Sequence, residues 1–208
     1  DLDPDIAAGV IAFTPEVAQG RHGAARWLAR WQAWLFFPLL FLEGVALHVS
    51  SIQGLLRRRP DRSAALEAAL LVVHTAAYLT AVFWVLSPLR AVVFVVVQQA
   101  VFGLYLGCTF APNHKGMPII ERDAKVSFAR RQVITARNIA GGRFTTFMMG
   151  GLNYQIEHHL FPMMPRPNLA RAQSLVRTFC ADQGLGYQEE SLVGSYRHGL
   201  RHLRAVGA

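Results

Sequence analysis

Charge is scarce in this sequence, and lysine and cysteine are nearly missing. Charged residues make up 16% of the 208 residues, whereas hydrophobic residues make up 52%. Only two lysines accompany 19 arginines, and the two cysteines, Cys108 and Cys180, lie far apart. Two isolated cysteines do not form a disulfide framework, so both are interpreted as reduced packing residues. The composition argues against an ordinary soluble domain.

The sequence also lacks the motifs that its net charge of +8 could suggest. It has no zinc-finger spacing and no RNP-type aromatic motif, and its arginines are scattered around apolar stretches, which argues against nucleic-acid binding. No nucleotide or flavin fingerprint is present. The first residue is Asp1 rather than Met, without a signal-peptide pattern, so the chain is expected to be the later part of a longer protein.

Two long apolar stretches, 68–86 and 91–111, stand out near the middle of the chain. They contain 19 and 21 residues, and as helices they would span roughly 28–32 Å, enough to cross a hydrocarbon core. A short turn joins them, so we expect an antiparallel transmembrane hairpin. Of the 21 lysines and arginines, only Arg90 lies between the two stretches. The positive-inside rule therefore places both flanks on the cytoplasmic side.

An earlier apolar stretch, 34–53, makes a poor spanning helix. Pro38, Glu43 and His48 interrupt it, and arginines flank it on both sides. We expect an interfacial or re-entrant helix that returns to the cytoplasmic side. Three tryptophans near its N-terminal edge fit an interfacial belt: Trp27, Trp31 and Trp34.

Residues 113–208 form the predicted cytoplasmic part. A helix on the membrane surface is predicted over 127–139, and a proline-rich connector over 161–167. Asn168 is predicted to cap an amphipathic helix. The predicted fold class is an all-α, integral, multi-pass membrane protein, in which a transmembrane hairpin carries interfacial helices and a cytoplasmic helical cap.

The pattern Gln155-x-x-His158-His159 is the best candidate for a functional site. On a helix, Gln155 shares a face with both histidines, and the histidines lie about 100° apart around the axis. They could bind one metal each in a pair, or present two edges to a shared site, and neutral imidazole suits iron. Glu157 is expected to point elsewhere, as an acceptor for a ring N–H. The alternative is a pair of surface histidines near lipid headgroups.

Five segments carry a resemblance to a known family. Residues 150–162 (GGLNYQIEHHLFP) resemble the third histidine box of the membrane fatty acid desaturases, in the variant with Gln155 that is typical of front-end and linoleoyl-CoA-type desaturases. Four more segments are similar to the family in the same order: DLDPDI at 1–6, FAPNHKGMP at 110–118, RQVITARNI at 131–139 and MPRPNLARAQSLVRTFC at 164–180. The family's first two histidine boxes are absent from the sequence and are expected upstream of Asp1.

The resemblance implies a non-haem centre of two irons. It makes His114, His158 and His159 metal ligands, and it gives Asn113 and Gln155 weak binding or the orientation of a water. The implied reaction uses O2 to insert a double bond into an acyl-CoA or acyl-lipid. Its electrons come from a separate ferredoxin or cytochrome b5 with its reductase. Three histidines do not hold two irons in the family's manner, so the chain alone is expected to be inactive.

Two other functions stay open. Lipid or carotenoid hydroxylases use the same kind of di-iron site, and the chain could be a non-catalytic membrane fragment. A cytoplasmic arginine-rich surface is predicted to face either an acidic partner or acyl-CoA phosphate, or anionic lipid headgroups; it comprises Arg130, Arg131, Arg137 and Arg143. The other histidines are interpreted as packing or solvated residues: His22, His48, His74, His198 and His202.

Overall fold

The computed structural model describes residues 11–120 and 124–208. It is mostly helical, with 72% of the described residues in helices and 3% in strands. The all-α class is therefore confirmed, apart from one pair of three-residue strands. The DLDPDI match at 1–6 lies outside the described residues.

Ten helices and two strands follow one another in the described part of the chain. The first helices are α1 (Pro15–Gln19), α2 (Gly23–Leu40), α3 (Glu43–Arg57), α4 (Arg62–Val85) and α5 (Pro88–His114). The later elements are α6 (Phe128–Ile134), β1 (Asn138–Ala140), α7 (Arg143–Met148), α8 (Gln155–Leu160), α9 (Arg166–Asp182), β2 (Glu189–Ser191) and α10 (Leu192–Gly207). Residues 37–107 form one compact unit, here the hairpin unit. The described residues up to 36 and from 108 onward form another, the histidine unit.

Helices α4 and α5 are long and apolar enough to cross a membrane. The predicted span 91–111 lies inside α5, and 68–86 lies inside α4 except for Leu86, which directly follows its last residue. Helices α2 and α3 meet the same criterion only as a pair, which is bent by 91° at the break between them. That bend belongs either to a broken span or to a re-entrant loop, so the interfacial or re-entrant helix expected over 34–53 stays a prediction.

Two glycines let helices approach closely within the hairpin unit. A Cβ built on Gly103 would lie 2.6 Å from the backbone nitrogen of Gly44, and one built on Gly44 would lie 2.7 Å from the carbonyl oxygen of Gln99. A polar contact joins the same helices, because Gln99 Nε2 lies 3.4 Å from His48 Nε2. Close backbone contact with a few polar bridges is how helices commonly associate in lipid.

The histidine unit has an apolar core that holds α6, α8 and α9 together. Its buried members are Val133, Ala136, Ile156, Val176 and Cys180. Cys108 and Cys180 are both free thiols, as predicted. Burial raises the pKa of Cys180, with a further contribution from the Glu157 carboxylate. This core fixes α8, which carries the paired histidines.

The predicted surface helix over 127–139 is wrong in its second half. Helix α6 ends at Ile134, and the chain continues into β1, which pairs in parallel with β2. The backbone N–H groups of residues 137, 138 and 139 donate to the carbonyls of Asn113, Gln188 and Asn153. These tertiary bonds replace the ones that a continuing helix would have made, so the fold overrides the local helical pattern.

Helix α9 begins earlier than predicted. It starts at Arg166 rather than after Asn168, and Pro167 lies in its first turn. Proline is tolerated there because the first N–H groups of a helix have no partner inside it. The connector predicted over 161–167 is correspondingly shorter.

Candidate functional site

A tight turn directs the chain into α8. Gly150 and Gly151 have φ values of 57° and 83°, in the left-handed region that favours glycine. The Arg166 guanidinium donates to the carbonyl of Gly150 at 3.2 Å. One turn later, Ile156 is fully buried in the core. The turn and the buried isoleucine together fix the direction of α8 and of the three side chains that it presents: Gln155, His158 and His159.

The last turn of α5 carries His114 and is held from outside the helix. Pro112 has no N–H, so it cannot donate to the carbonyl of Cys108 as an ordinary helical residue does. The Tyr196 hydroxyl donates to that carbonyl at 2.6 Å instead, and the neighbouring Ser195 hydroxyl donates to the carbonyl of Pro112. Helix α10 therefore supplies the bonding that proline removes and fixes the turn that ends at His114.

Two imidazoles converge on one atom. The Nε2 atoms of His114 and His159 lie 3.1 and 2.9 Å from Gln155 Nε2, and their stacked rings are 5.1 Å apart between centres. Asn113 orients the amide, because its Nδ2 donates to Gln155 Oε1 at 3.3 Å. The two amide hydrogens of Gln155 then point at the two rings. In the tautomer that carries its proton on Nδ1, each ring presents an Nε2 lone pair to the same position.

His158 lies apart from that pair. Its ring centre is 6.2 Å from that of His159, and the two rings are tilted by 55°. Burial lowers the pKa of His158, with a smaller contribution from the Arg166 guanidinium, so the ring is neutral at neutral pH. Its Nδ1 is buried with no hydrogen-bond partner among the described residues. An unpaired buried atom costs about 1–3 kcal/mol, which a bound metal ion or water would offset.

Glu157 lies beside the histidines in sequence but belongs to a separate polar network. Its carboxylate is fully buried. Asn138 Nδ2 donates to it at 2.6 Å, and the Tyr187 hydroxyl donates at 2.8 Å. The predicted donor to the Glu157 carboxylate, an imidazole N–H, is therefore wrong. The donors are Asn138 and Tyr187. Burial, followed by the Glu157 carboxylate, raises the pKa of Tyr187, so the phenol stays protonated and remains a donor at neutral pH.

The predicted arginine-rich surface is wrong at one of its four positions. Arg137 is only 2% exposed, so it does not face a partner or a lipid headgroup. Its guanidinium donates to Glu190 at 2.8 Å and to the carbonyl of Lys115 at 2.6 Å.

Neither Asn138 nor Tyr187, the two donors to Glu157, was predicted from the sequence as a site residue. The one signal for Asn138 was its place in the segment 131–139 that resembles the family, and Tyr187 had none.

The donor atoms fit a metal ion in kind and direction, but not in number. Imidazole nitrogen suits iron, and two such nitrogens point at one position. The buried Asn113 Oδ1, like His158 Nδ1, has no hydrogen-bond partner within the described residues. Residues 11–120 and 124–208 nevertheless contain no group of three or more His, Cys, Asp or Glu side chains that could hold a metal ion. The described residues therefore fall short of a complete coordination sphere.

Comparison with known proteins adds an independent line of evidence. The family described as "Fatty acid desaturase" matches residues 1–191. The "Acyl-lipid (9-3)-desaturase" of Physcomitrium patens is 36% identical over 134 residues, which are 64% of this chain and 24% of that protein. The "Delta(6)-fatty-acid desaturase fat-3" of Caenorhabditis elegans is 34% identical over 147 residues, which are 69% of this chain and 33% of that protein. The "Acyl-lipid 8-desaturase" of Rebecca salina is 30% identical over 207 residues, covering 97% and 46%.

The chain thus spans between about a quarter and a half of the length of these relatives. No solved structure matches it. The family match covers most of the chain, including α8 and the end of α5, and the family is membrane-bound, in keeping with the two apolar helices. The chain belongs to the fatty acid desaturase family.

Proposed function

We propose that the chain contributes to a fatty acid desaturase of the front-end kind and supplies His114, His158 and His159 to a histidine-ligated di-iron centre. The observation that carries the proposal is the convergence of two Nε2 atoms, those of His114 and His159, on the Gln155 amide. The relatives support the reaction, since those compared above are named as desaturases.

The ring directions suggest how the ligands divide between two ions. His114 and His159 would hold one ion, because their Nε2 atoms face the same position. His158 would serve the second, because its ring is tilted away from that of His159. An ion at that position would take the place of the Gln155 amide nitrogen. Asn113 and the displaced Gln155 side chain would then lie beside the ion as weak ligands or as residues that orient a water. When bound, iron supplies the oxidising power that removal of hydrogens from an unactivated methylene pair requires, with O2 as oxidant.

We also propose where the site lies, which substrate it takes and where its electrons come from. It lies on the cytoplasmic face of a multi-pass membrane protein, since 20 of the 21 lysines and arginines lie outside the apolar hairpin. The substrate is a fatty acyl-CoA or acyl-lipid, and the electrons come from an external ferredoxin or cytochrome b5 with its reductase. The relatives extend well beyond the part that this chain matches, and we propose that the remaining iron ligands lie in such a further part.

Product analysis tests the reaction. The protein is expressed from its complete coding sequence in yeast, and the membrane lipids are examined by mass spectrometry. A desaturase lowers the product mass by two hydrogens, whereas a hydroxylase raises it by one oxygen. The variants His114→Ala and His158→Ala/His159→Ala should lose the product while still accumulating in membranes. His22→Ala, at an exposed histidine, is the matched control and should leave the product unchanged.

Iron content of the same purified proteins separates an enzyme from a non-catalytic membrane protein. The wild type and His22→Ala should hold iron, and the other histidine variants should lose most of it. Undiminished product from His158→Ala/His159→Ala would end the proposal. Equal iron in the wild type and in every histidine variant would end it as well.

A further inference from the structure

Two consecutive residues, Arg137 and Asn138, each reach a different histidine-bearing segment. Arg137 binds the residues around His114, and Asn138 binds α8. We propose that this Arg137–Asn138 pair is a positioning element that sets the distance between the imidazoles of His114 and His159. The inference rests on the metal site proposed above, and it adds two residues that do not touch the metal themselves.

Arg137 binds the chain on both sides of His114. Its backbone N–H donates to the carbonyl of Asn113 at 3.0 Å, and its guanidinium donates to the carbonyl of Lys115 at 2.6 Å. The other end of the guanidinium is anchored by Glu190 on β2 at 2.8 Å. With the side chain 2% exposed, water does not compete for these charge-assisted bonds. The turn that carries His114 therefore cannot shift without breaking them.

Asn138 binds the first turn of α8. Its Oδ1 accepts from the backbone N–H of Ile156 at 2.9 Å, and its Nδ2 donates to Glu157 at 2.6 Å. The first of these bonds satisfies an N–H that a helix start leaves without an internal partner. The same Nδ2 donates to the Tyr187 hydroxyl at 2.6 Å, and that hydroxyl donates back to Glu157. Asn138 and Glu157 are both fully buried.

External bonds matter for α8 because the helix has only six residues. A helix that short is not stable by itself, so its orientation depends on what binds it. Asn138 binds it at two consecutive residues, directly before the histidine pair. Asn138 therefore acts with the Gly150–Gly151 turn and the buried Ile156 to set the direction of the His159 ring.

The link between the two imidazoles is short. Arg137 and Asn138 are consecutive, so their Cα atoms are about 3.8 Å apart. Asn138 is also held within β1 by pairing with β2. The path from the His114 turn to α8 thus passes through one peptide unit and two sets of buried hydrogen bonds. Ligands of a metal site must be held to within about 0.5 Å, and this link supplies that constraint.

The test measures metal binding by Arg137→Lys and Asn138→Asp in detergent-purified protein made from the complete coding sequence. Arg177→Lys is the matched control, because Arg177 forms an exposed ion pair with Glu189 on β2. Each protein is titrated with Fe(II) and with Co(II), whose visible absorption bands report the ligand geometry. We expect about 10–100-fold weaker metal binding and shifted Co(II) bands in the first two variants. The control should match the wild type, and circular dichroism should show equal helix content throughout.

A rescue variant separates positioning from general folding. Asn138→Asp places a second carboxylate against Glu157, whereas the double variant N138D/E157Q exchanges the amide and the carboxylate of the pair. The exchange recreates the donor and the acceptor, so the double variant should regain most of the metal affinity and the wild-type Co(II) bands. Neither Asn138→Asp nor Glu157→Gln alone should regain the metal affinity or the wild-type Co(II) bands.

The results of these titrations distinguish a failure of the positioning role from a failure of the proposed metal site. Wild-type metal affinity and Co(II) spectra in both Arg137→Lys and Asn138→Asp would overturn the positioning role. A double variant that fails to regain metal would also overturn it. His114→Ala and His159→Ala are measured in parallel. If they bind metal like the wild type, the proposed metal site itself fails; if they lose metal while the Arg137 and Asn138 variants keep it, only the positioning role fails.

Discussion

The hairpin unit and the histidine unit bury different kinds of group. In the most apolar 18-residue stretches of α4 and α5, only 6% and 17% of the residues are buried, so most of their apolar side chains point away from the rest of the described protein. The histidine unit instead buries polar side chains that are 3% exposed or less: Gln32, Asn113, Arg137, Asn138, Asn153, Gln155, Glu157 and Ser195.

The contrast follows from what each unit has to achieve. A helix in lipid satisfies its own backbone groups and needs few side-chain contacts. A site that aims several imidazoles at defined positions needs a fixed partner for each segment that carries one. Since the loss of one partner leaves a buried polar group unpaired, substitutions should affect the histidine unit far more than the outward faces of the hairpin unit.

The largest difference is expected for the same leucine-to-alanine change in the two units. Leu169 on α9 is fully buried, whereas Leu70 on α4 is 60% exposed. Leu169→Ala should lower the free energy of unfolding by about 2–5 kcal/mol, because it leaves a cavity. Leu70→Ala should change it by about 0.5 kcal/mol or less. Thermal unfolding in detergent measures both, and equal losses would contradict the contrast.

The next largest effect is expected in the polar network. Tyr187→Phe removes the hydroxyl that donates to Glu157 and accepts from Asn138. Hydrogen bonds to charged groups contribute about 1.5–3 kcal/mol, so the unfolding free energy should fall by that amount. Tyr154→Phe is the control, since Tyr154 lies just before α8 outside this network. An equal fall in the unfolding free energy of both variants would show that the loss of either tyrosine hydroxyl has this effect. The network around Glu157 would then not be the cause.

Local patterns in the sequence predict the spanning helices and the shared face of α8. A run of about 20 apolar residues has few structural solutions besides a spanning helix, which is why 91–111 falls within α5 and 68–86 ends only one residue beyond α4. Gln155 and His159 are four residues apart, so the spacing alone placed them on one face of a helix. The structure indeed puts their side-chain nitrogens 2.9 Å apart.

Contacts between residues that are distant in sequence leave no such local pattern. The sequence predicts Arg137 to be one of several surface arginines, because its partner Glu190 lies 53 residues later in the chain. Asn138 meets Glu157 and Tyr187 at separations of 19 and 49 residues. Helix α5 runs past the predicted end at 111 through Pro112, because Tyr196 takes over the carbonyl that proline leaves free. No local pattern contains these contacts.

A smaller effect is expected where the hairpin unit is closely packed. Gly103→Ala would place a Cβ 2.6 Å from both the Gly44 nitrogen and the Leu40 carbonyl oxygen. Backbone atoms cannot rotate away, so overpacking should cost about 1–3 kcal/mol of unfolding free energy. Gly54→Ala is the control, because nothing lies within 4 Å of its Cβ position. It should be neutral or stabilising by up to about 1 kcal/mol. Equal behaviour of the two variants would show that this contact does not hold the helices together.

The smallest effect is a pH dependence at the start of α4. The Asp61 carboxylate accepts from the Ala64 N–H at 2.7 Å. That bond, with a smaller contribution from Arg58, holds the pKa of Asp61 below its ordinary value of 3.8.

A lowered folded-state pKa means that the carboxylate stabilises the helix at pH values above the ordinary one. The contribution is lost as the pH falls through the lowered value. Asp61→Asn still caps the helix but does not titrate. The wild type should therefore exceed the variant in unfolding temperature by more at neutral pH than in acid, below the ordinary pKa. Comparing the two proteins at each pH cancels the other carboxylates, so an equal difference at both pH values would remove Asp61 as the cause.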